Sequence, residues 1–289
     1  MGEILDFRCT YDNASENNPE LAKKLGLSFP DVYLYSDTMV QLSKAIKEKE
    51  GAAFCIMPFC HTVEAEAMGG IITLGNELAG PRAKEYIFNN YEDLVNLPSI
   101  DFSKGRAREV LLACQKLREQ GEHVVLEITG PITLLNVLID TKYIFKGMRK
   151  NPELMKSVFQ KIGDELLRYV EEAKKHGVEM ISYADSAGGV NILGPKMMSQ
   201  MVEDFTYDFI KRLQNYADDD TLILLCPKTT FALLGTEKAE LREVKISGVI
   251  SYGKACLEVI GKAKIVGQQC VKNMKYVLQT ETIKEVVLK

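Results

Sequence analysis

The stretch 178–195, VEMISYADSAGGVNILGP, decides how the rest of the chain is read. Gly177 closes a long amphipathic pattern just before it. A short apolar strand is predicted over 178–184 and delivers Asp185 at its carboxyl end. Gly188-Gly189 follow, and Gly194-Pro195 start the next helix. In a parallel α/β protein, ligands sit outside the carboxyl ends of the strands. A carboxylate there, followed by glycines that let backbone approach a ligand closely, has the make-up of a binding-site strand end. The plainer alternative is that Asp185 caps the next element and the glycines only turn the chain. Both stay open on these residues alone.

Working outward, strand and helix patterns alternate. Upstream, 52–58 (AAFCIMP) is a continuous apolar run, as expected of a strand buried on both faces. Phe59-Cys60-His61-Thr62 come directly after it, then VEAEAMGG with Glu64 and Glu66. A second strand is predicted over 124–130, VVLEITG, whose interior Glu127 is costly to bury unpaired. Gly130-Pro131 then open a helix, with proline where a missing N–H does no harm. Helical spacing marks 37–49 and 106–120, the latter with Val110, Cys114 and Leu117 on one face. The longest helix starts at Asn151-Pro152, repeats Leu154, Val158, Ile162, Leu166 and Val170, and ends at His176-Gly177. Another covers 195–216. Downstream, 221–227 (TLILLCP) reads as a strand carrying Cys226, and 245–251 and 263–267 as two more around a helical 254–260. The last of these ends in Gln268-Gln269-Cys270. A further short strand is expected at 71–74, and 81–101 reads as irregular.

This alternation argues for a parallel sheet with helical crossovers. Length and repeated polar strand ends favour an α/β fold of the (β/α)8 TIM barrel type with an N-terminal helical arm. With no linker after about Gly51, one domain is expected over 1–289, with 1–50 as arm and helices and 51–289 as barrel. Residues 1–30 are polar, with a short helix at 20–26. Neither a dinucleotide fingerprint nor a phosphate loop occurs.

The 289 residues are 46% hydrophobic and 26% charged, enough for one large core, and a net charge of -4 gives no reason to expect nucleic acid or an acidic membrane as partner. The amino terminus shows no signal-peptide run and no stretch approaches a membrane span. Seven cysteines, an odd number scattered through strands and helices, read as reduced and point to the cytoplasm.

A barrel would collect Cys60, His61, Glu127, Tyr183, Asp185, Asn191, Cys226, Lys228, Gln268 and Cys270 at one mouth. The segments PFCHTVEAEAMGG, EITGPITLL, SYADSAGGVNILGP, LLCPKTT and VGQQC together resemble the uroporphyrinogen decarboxylase superfamily. In order and spacing they are similar to its corrinoid-dependent methyltransferase branch, typified by methylcobalamin:coenzyme M methyltransferase. The resemblance covers roughly residues 50–275, and its most specific parts are the Gly-Pro-x-Thr segment and the Tyr-x-Asp strand end. It implies a TIM barrel and a methyl group passed to or from cobalt, with methylcobalamin or a corrinoid as carrier. It also implies a zinc held by a His-x-Cys pair and a distant Cys. Those positions fall on Leu224, Cys226 and Cys270, and leucine cannot bind metal. Two thiols alone hold zinc poorly unless Glu64, His61 or a distant carboxylate completes the site.

A bound zinc would lower the pKa of a thiol acceptor. Without it, a folate acceptor or a methyl-ether or methylamine donor calls for proton transfer, with Asp185, Glu127 and His61 as the acid/base candidates. Tyr183, Asn191, Cys60, Lys228 and Gln268 are the candidates for holding substrate. The decarboxylase branch needs clustered arginines for a polycarboxylate; Arg8 is the only arginine before Arg82, so uroporphyrinogen decarboxylation is not expected. No Asp-x-His-x-x-Gly motif surrounds His61, His123 or His176, so a corrinoid would come from a separate corrinoid protein or from solution. A homodimer is compatible with the superfamily, and no residue decides it. The competing expectation is a barrel that has lost catalysis and binds a small ligand or a partner protein.

Overall fold

A computed structural model describes residues 18–289; the first 17, with Arg8 and most of the expected polar arm, lie outside the described residues. The strands are β1 (Cys55–Met57), β2 (Ile71–Thr73), β3 (Arg82–Glu85), β4 (Val124–Thr129), β5 (Met180–Ala184), β6 (Leu222–Leu225), β7 (Ala239–Lys245), β8 (Ile265–Val266) and β9 (Thr282–Leu288). A seven-stranded sheet runs in the order β1-β4-β5-β6-β8-β9-β7. From β1 to β8 every pairing is parallel, and β9 then joins β8 and β7 antiparallel. The helices are α1 (Pro19–Lys24), α2 (Ser36–Glu50), α3 (Val63–Ala67), α4 (Gly105–Glu119), α5 (Pro131–Leu138), α6 (Thr141–Lys150), α7 (Pro152–Lys175), α8 (Val190–Met201), α9 (Tyr207–Leu213), α10 (Pro227–Gly235) and α11 (Tyr252–Glu258). This is the α/β architecture expected, with helical crossovers between parallel strands.

Side chains alternate across a strand, so register decides which residues meet. Ile56, Val125, Met180 and Leu222 lie in one row across four strands, and Glu127, Ser182, Leu224 and Val266 in the next row towards the carboxyl ends. The inner face packs Phe54, Val125, Met180, Leu222, Leu224 and Val266 into one core with Tyr252 of α11 and Ile283 of β9. The sheet therefore curls until residues near both of its ends share a core, which is how a barrel fills its interior. The other face carries Met57, Leu126, Ile128, Ile181, Tyr183 and Ile223, which pack with residues of α4, α5, α7 and α9. Strands buried on both faces explain why their sequences are continuous apolar runs.

Three expectations need correction. The strand expected at 245–251 lies earlier, at β7, and pairs with β9, which has no counterpart in the sequence reading. Both mix apolar and charged residues (AELREVK, TIKEVVL): β7 is the exposed edge, and β9 beside it buries Ile283, Glu285 and Val286 between part-exposed positions. The helix expected at 195–216 begins at Val190 and is broken by Gly194, whose φ of 72° lies in the left-handed region, and by a π-helical turn at Val202–Thr206. The segment expected to be irregular contains β3, which forms a small antiparallel pair with β2.

Among the described residues no helix is long and apolar enough to cross a membrane. No disulfide joins the described cysteines: Cys55, Cys114 and Cys256 are buried, while Cys60, Cys226 and Cys270 are part-exposed. Burial pushes the Cys55 thiol up to about 11 and the Cys114 thiol up to about 12, and raises that of Cys256 as well. Thiolate is the reactive form. Native alkylation with iodoacetamide at pH 8, read by peptide mapping, should therefore label Cys60, Cys226 and Cys270 and spare Cys55, Cys114 and Cys256. Labelling of the buried three at a comparable rate would contradict this packing.

Candidate functional site

Glu127 faces the curled interior because its register places it on the row of Leu224 and Val266. Its carboxylate Oε1 lies 3.7 Å from Nε2 of His61, which follows β1. The carboxylate side chain is 7% exposed and the imidazole 26%, so the pair joins a buried group to one that solvent reaches. At that separation they stand side by side just beyond hydrogen-bond distance, both presented to the same space. Both line a cleft of about 140 Å³ along the side of β1 that has no strand partner. Ile56 comes from β1 and Phe54 and Pro58 from either side of it, Ser43 and Ile46 from α2, and Val271 and Met274 from the chain beyond β8.

Asp185 points the other way. It is buried at the end of β5, and its oxygens accept from the backbone N–H of Ile132 (3.1 Å), the N–H of Thr133 (2.8 Å) and the hydroxyl of Thr133 (2.7 Å). It thus caps α5, the helix after the neighbouring strand, at the end where backbone N–H groups lack partners. The Gly-Pro-x-Thr segment takes its meaning here. A Cβ on Gly130 would overlap Asp185, Pro131 occupies the first turn, and Thr133 donates. A Cβ on Gly188 would lie 2.7 Å from Asp185 Oδ2, so that glycine too is set by the carboxylate. Burial raises the pKa of Asp185 above the usual carboxylate value, although the bonds from Thr133, Ile132 and Gly188 pull it down. The capping alternative describes this residue, with the correction that it caps α5 and not the helix following it.

Other candidates hold the rim together. Glu64 is buried and accepts from Thr129 N–H (2.8 Å) and its hydroxyl (3.2 Å), with a pKa raised by burial. Cys60 packs under the guanidinium of Arg106, whose Nη1 is 3.3 Å from its Sγ and which also pairs with Glu66 and Thr62. Lys228 reaches the Ser186 carbonyl (3.4 Å). Gln268 is buried, and its side-chain oxygen accepts from Lys284 N–H of β9 (2.6 Å). Tyr183 is buried on the helix side with its ring 5.1 Å from Phe209, and burial pushes its phenol well up. Asn191 is exposed on α8 beside Lys228 and Gly189. The single mouth drawn from the sequence is thus divided: His61 and Glu127 share the inner cleft, while Tyr183 and Asp185 serve the outer face. Arg106, Thr129 and Thr133 were missed as members of this network. Only Thr133 carried a signal, as the last residue of the Gly-Pro-x-Thr segment.

The metal positions can be tested on their donors. Leu224 is 3% exposed and packs in the inner core, so the place of the missing histidine is filled by apolar contact. Cys226 precedes α10 and Cys270 precedes a single helical turn at Val271–Asn273. Among the described residues no three His, Cys, Asp or Glu side chains come together as a metal-holding group. Neither Glu64, engaged at Thr129, nor His61 completes a site with the two thiols, and the donor set does not fit zinc.

Comparison with known proteins places these features in a wider group. The family model described as Uroporphyrinogen decarboxylase (URO-D) matches residues 18–269. The methylcobamide:CoM methyltransferase MtaA of Methanosarcina barkeri is 24% identical over 255 residues, covering 86% of this chain and 73% of that protein. The methylcobamide:CoM methyltransferase MtbA of Methanosarcina acetivorans is 20% identical over 245 residues, covering 84% and 71%. A solved structure of a methyltransferase from Methanosarcina mazei superposes with a TM-score of 0.65 at 20% identity, over 81% of this chain and 67% of that one. At that identity the structural likeness speaks for the fold.

Two measurements check this geometry. Asp185→Ala should cost about 1–3 kcal/mol in urea unfolding, because buried donors at Ile132 and Thr133 are left unmet. Gly130→Ala should lose about as much through overpacking. A carboxyl whose pKa is raised on folding stabilises fully below its unfolded value and loses that contribution as pH rises through the folded one. Asp185→Asn should therefore flatten the fall in stability across that interval. Zinc titration read by atomic absorption should leave well under one equivalent bound after dialysis. Stoichiometric zinc that is lost in Cys226→Ser would restore the thiol-activating site.

Proposed function

The chain belongs to the uroporphyrinogen decarboxylase family, and on that footing we propose that it is a methyltransferase, moving a methyl group between a corrinoid and a small-molecule donor or acceptor. The observation that carries this is the His61–Glu127 pair facing an inner cleft, in a chain whose relatives are named for methyl transfer with methylcobamide. The corrinoid, as methylcobalamin or on a separate corrinoid protein, supplies the carrier for the methyl group. A cleft of about 140 Å³ is too small to enclose the macrocycle, so the carrier approaches from outside and the small molecule sits within.

The residues divide the remaining work. When a methyl group leaves a heteroatom, that atom gains a proton; when it arrives on an N–H or S–H acceptor, a proton departs. His61, partly exposed, exchanges that proton with solvent, and buried Glu127 stands beside the imidazole as its partner in the cleft. Pro58 and Ile56 exclude water beside them. Asp185, Lys228 and Gln268 keep the strand ends in register and act as positioning residues. Because the donor set does not fit zinc, a thiol acceptor would lack activation by the metal, which favours a folate or a methylated donor as the small-molecule partner. The described cysteines, joined by no disulfide, are in keeping with a cytoplasmic protein, and a homodimer is part of the same proposal. A second reading has its own observation: with Leu224 filling the metal position, the barrel binds a ligand or partner without turning it over.

Assays with methylcobalamin or reduced cobalamin against coenzyme M, tetrahydrofolate and methylated aromatics separate the two. Turnover is expected, with Glu127→Gln and His61→Gln each lowering kcat by roughly 10²–10⁴-fold and changing the pH profile. Absence of turnover with every corrinoid form, in a folded protein, would favour the binding-only reading.

A further inference from the structure

The lining of the cleft bears on what it holds. Phe54, Ile56, Ile46, Val271 and Met274 make its surface largely apolar. The cations at its edge are engaged: Lys47 pairs with Glu122, Lys275 with Glu50 at 2.8 Å, and Lys272 also has a partner. No arginine is among the described residues that line it. An anion entering such a cleft would give up its hydration without a free cation to replace it. At the inner end of the cleft a polar atom meets the His61 imidazole and the Glu127 carboxylate, and the carboxylate itself repels an anion. A space of about 140 Å³, at roughly 10–15 Å³ for each water-sized group, holds about ten non-hydrogen atoms.

We infer that this cleft takes a neutral, largely apolar small molecule of about ten non-hydrogen atoms with one heteroatom set at His61 and Glu127, in preference to a small anion. The inference rests on the cleft being the substrate site of the proposed methyltransferase. It commits to a ligand class and is tested by binding alone.

Isothermal titration calorimetry without corrinoid compares guaiacol, a neutral methoxyphenol, with 2-mercaptoethanesulfonate, an anionic thiol of similar size. Guaiacol is expected to bind saturably and at least about tenfold more tightly than the sulfonate. Ile56→Trp and, separately, Ile46→Trp fill the cleft from opposite walls, and each should weaken guaiacol binding by about tenfold or more. Circular dichroism melts identify which of the two variants is folded and therefore counts. Sulfonate binding as tight as guaiacol overturns the inference, as does no saturable guaiacol binding, or binding indifferent to a folded cleft-filling variant. Because no corrinoid is present, these failures leave methyl transfer itself untouched. Conversely, guaiacol binding in a protein that transfers no methyl group with any corrinoid form or candidate substrate would sink the transferase reading while leaving the ligand class standing.

Discussion

One carboxylate organises the carboxyl-terminal rim of this sheet. Asp185 leaves β5 on its outer side and caps α5, which follows β4. A buried acceptor satisfying the free N–H groups of a neighbouring helix ties two successive strand–helix units into one rigid block. The Tyr-x-Asp strand end and the Gly-Pro-x-Thr segment, 53 residues apart between Asp185 and Ile132, are therefore two halves of one contact. Their residue types follow from sterics: glycine where a Cβ would collide, proline where no N–H is needed, threonine where a hydroxyl must donate.

Similar ties continue around the rim. Glu64 holds the end of β4, Lys228 holds Ser186, Thr230 holds the Gly267 carbonyl at 3.0 Å, and Gln268 holds β9. Polar residues at strand ends are thus mostly engaged with backbone, and buried polar groups must find such partners. Glu127 differs because its row faces inward, with Ser182 beside it on β5 and the apolar Leu224 and Val266 beyond. Its charged neighbour is His61, and that place on the cleft wall is what sets the pair apart from the structural carboxylates.

Much of the fold is legible in the residues themselves. Doubly buried strands announce themselves as apolar runs, and β4, β5 and β6 lie within the runs that predicted them. Strands β7 and β9 hid because β7 is an exposed edge and β9 a part-exposed strand beside it, so both mix charge with apolar residues. The site is harder to read, for a reason of parity. Asp185 and Glu127 both sit on strands near the rim, but one residue more or less decides whether a side chain meets the helices or the interior. Sequence spacing placed both at one mouth, and only register separates Asp185 from His61 and Glu127. The missing metal ligand, by contrast, needed no structure: leucine at 224 is apolar wherever it lies, and the fold adds that it packs the inner core.

The unpaired side of β1 has a consequence for the behaviour of the protein in solution. A strand with open backbone groups is a template on which another chain can add. Here α2, through the Ser43 hydroxyl on the Ile56 carbonyl at 3.4 Å, and the segment beyond β8 stand guard over it, with the cleft between them. Whatever occupies that gap also shields the edge, so occupancy and colloidal robustness rise together.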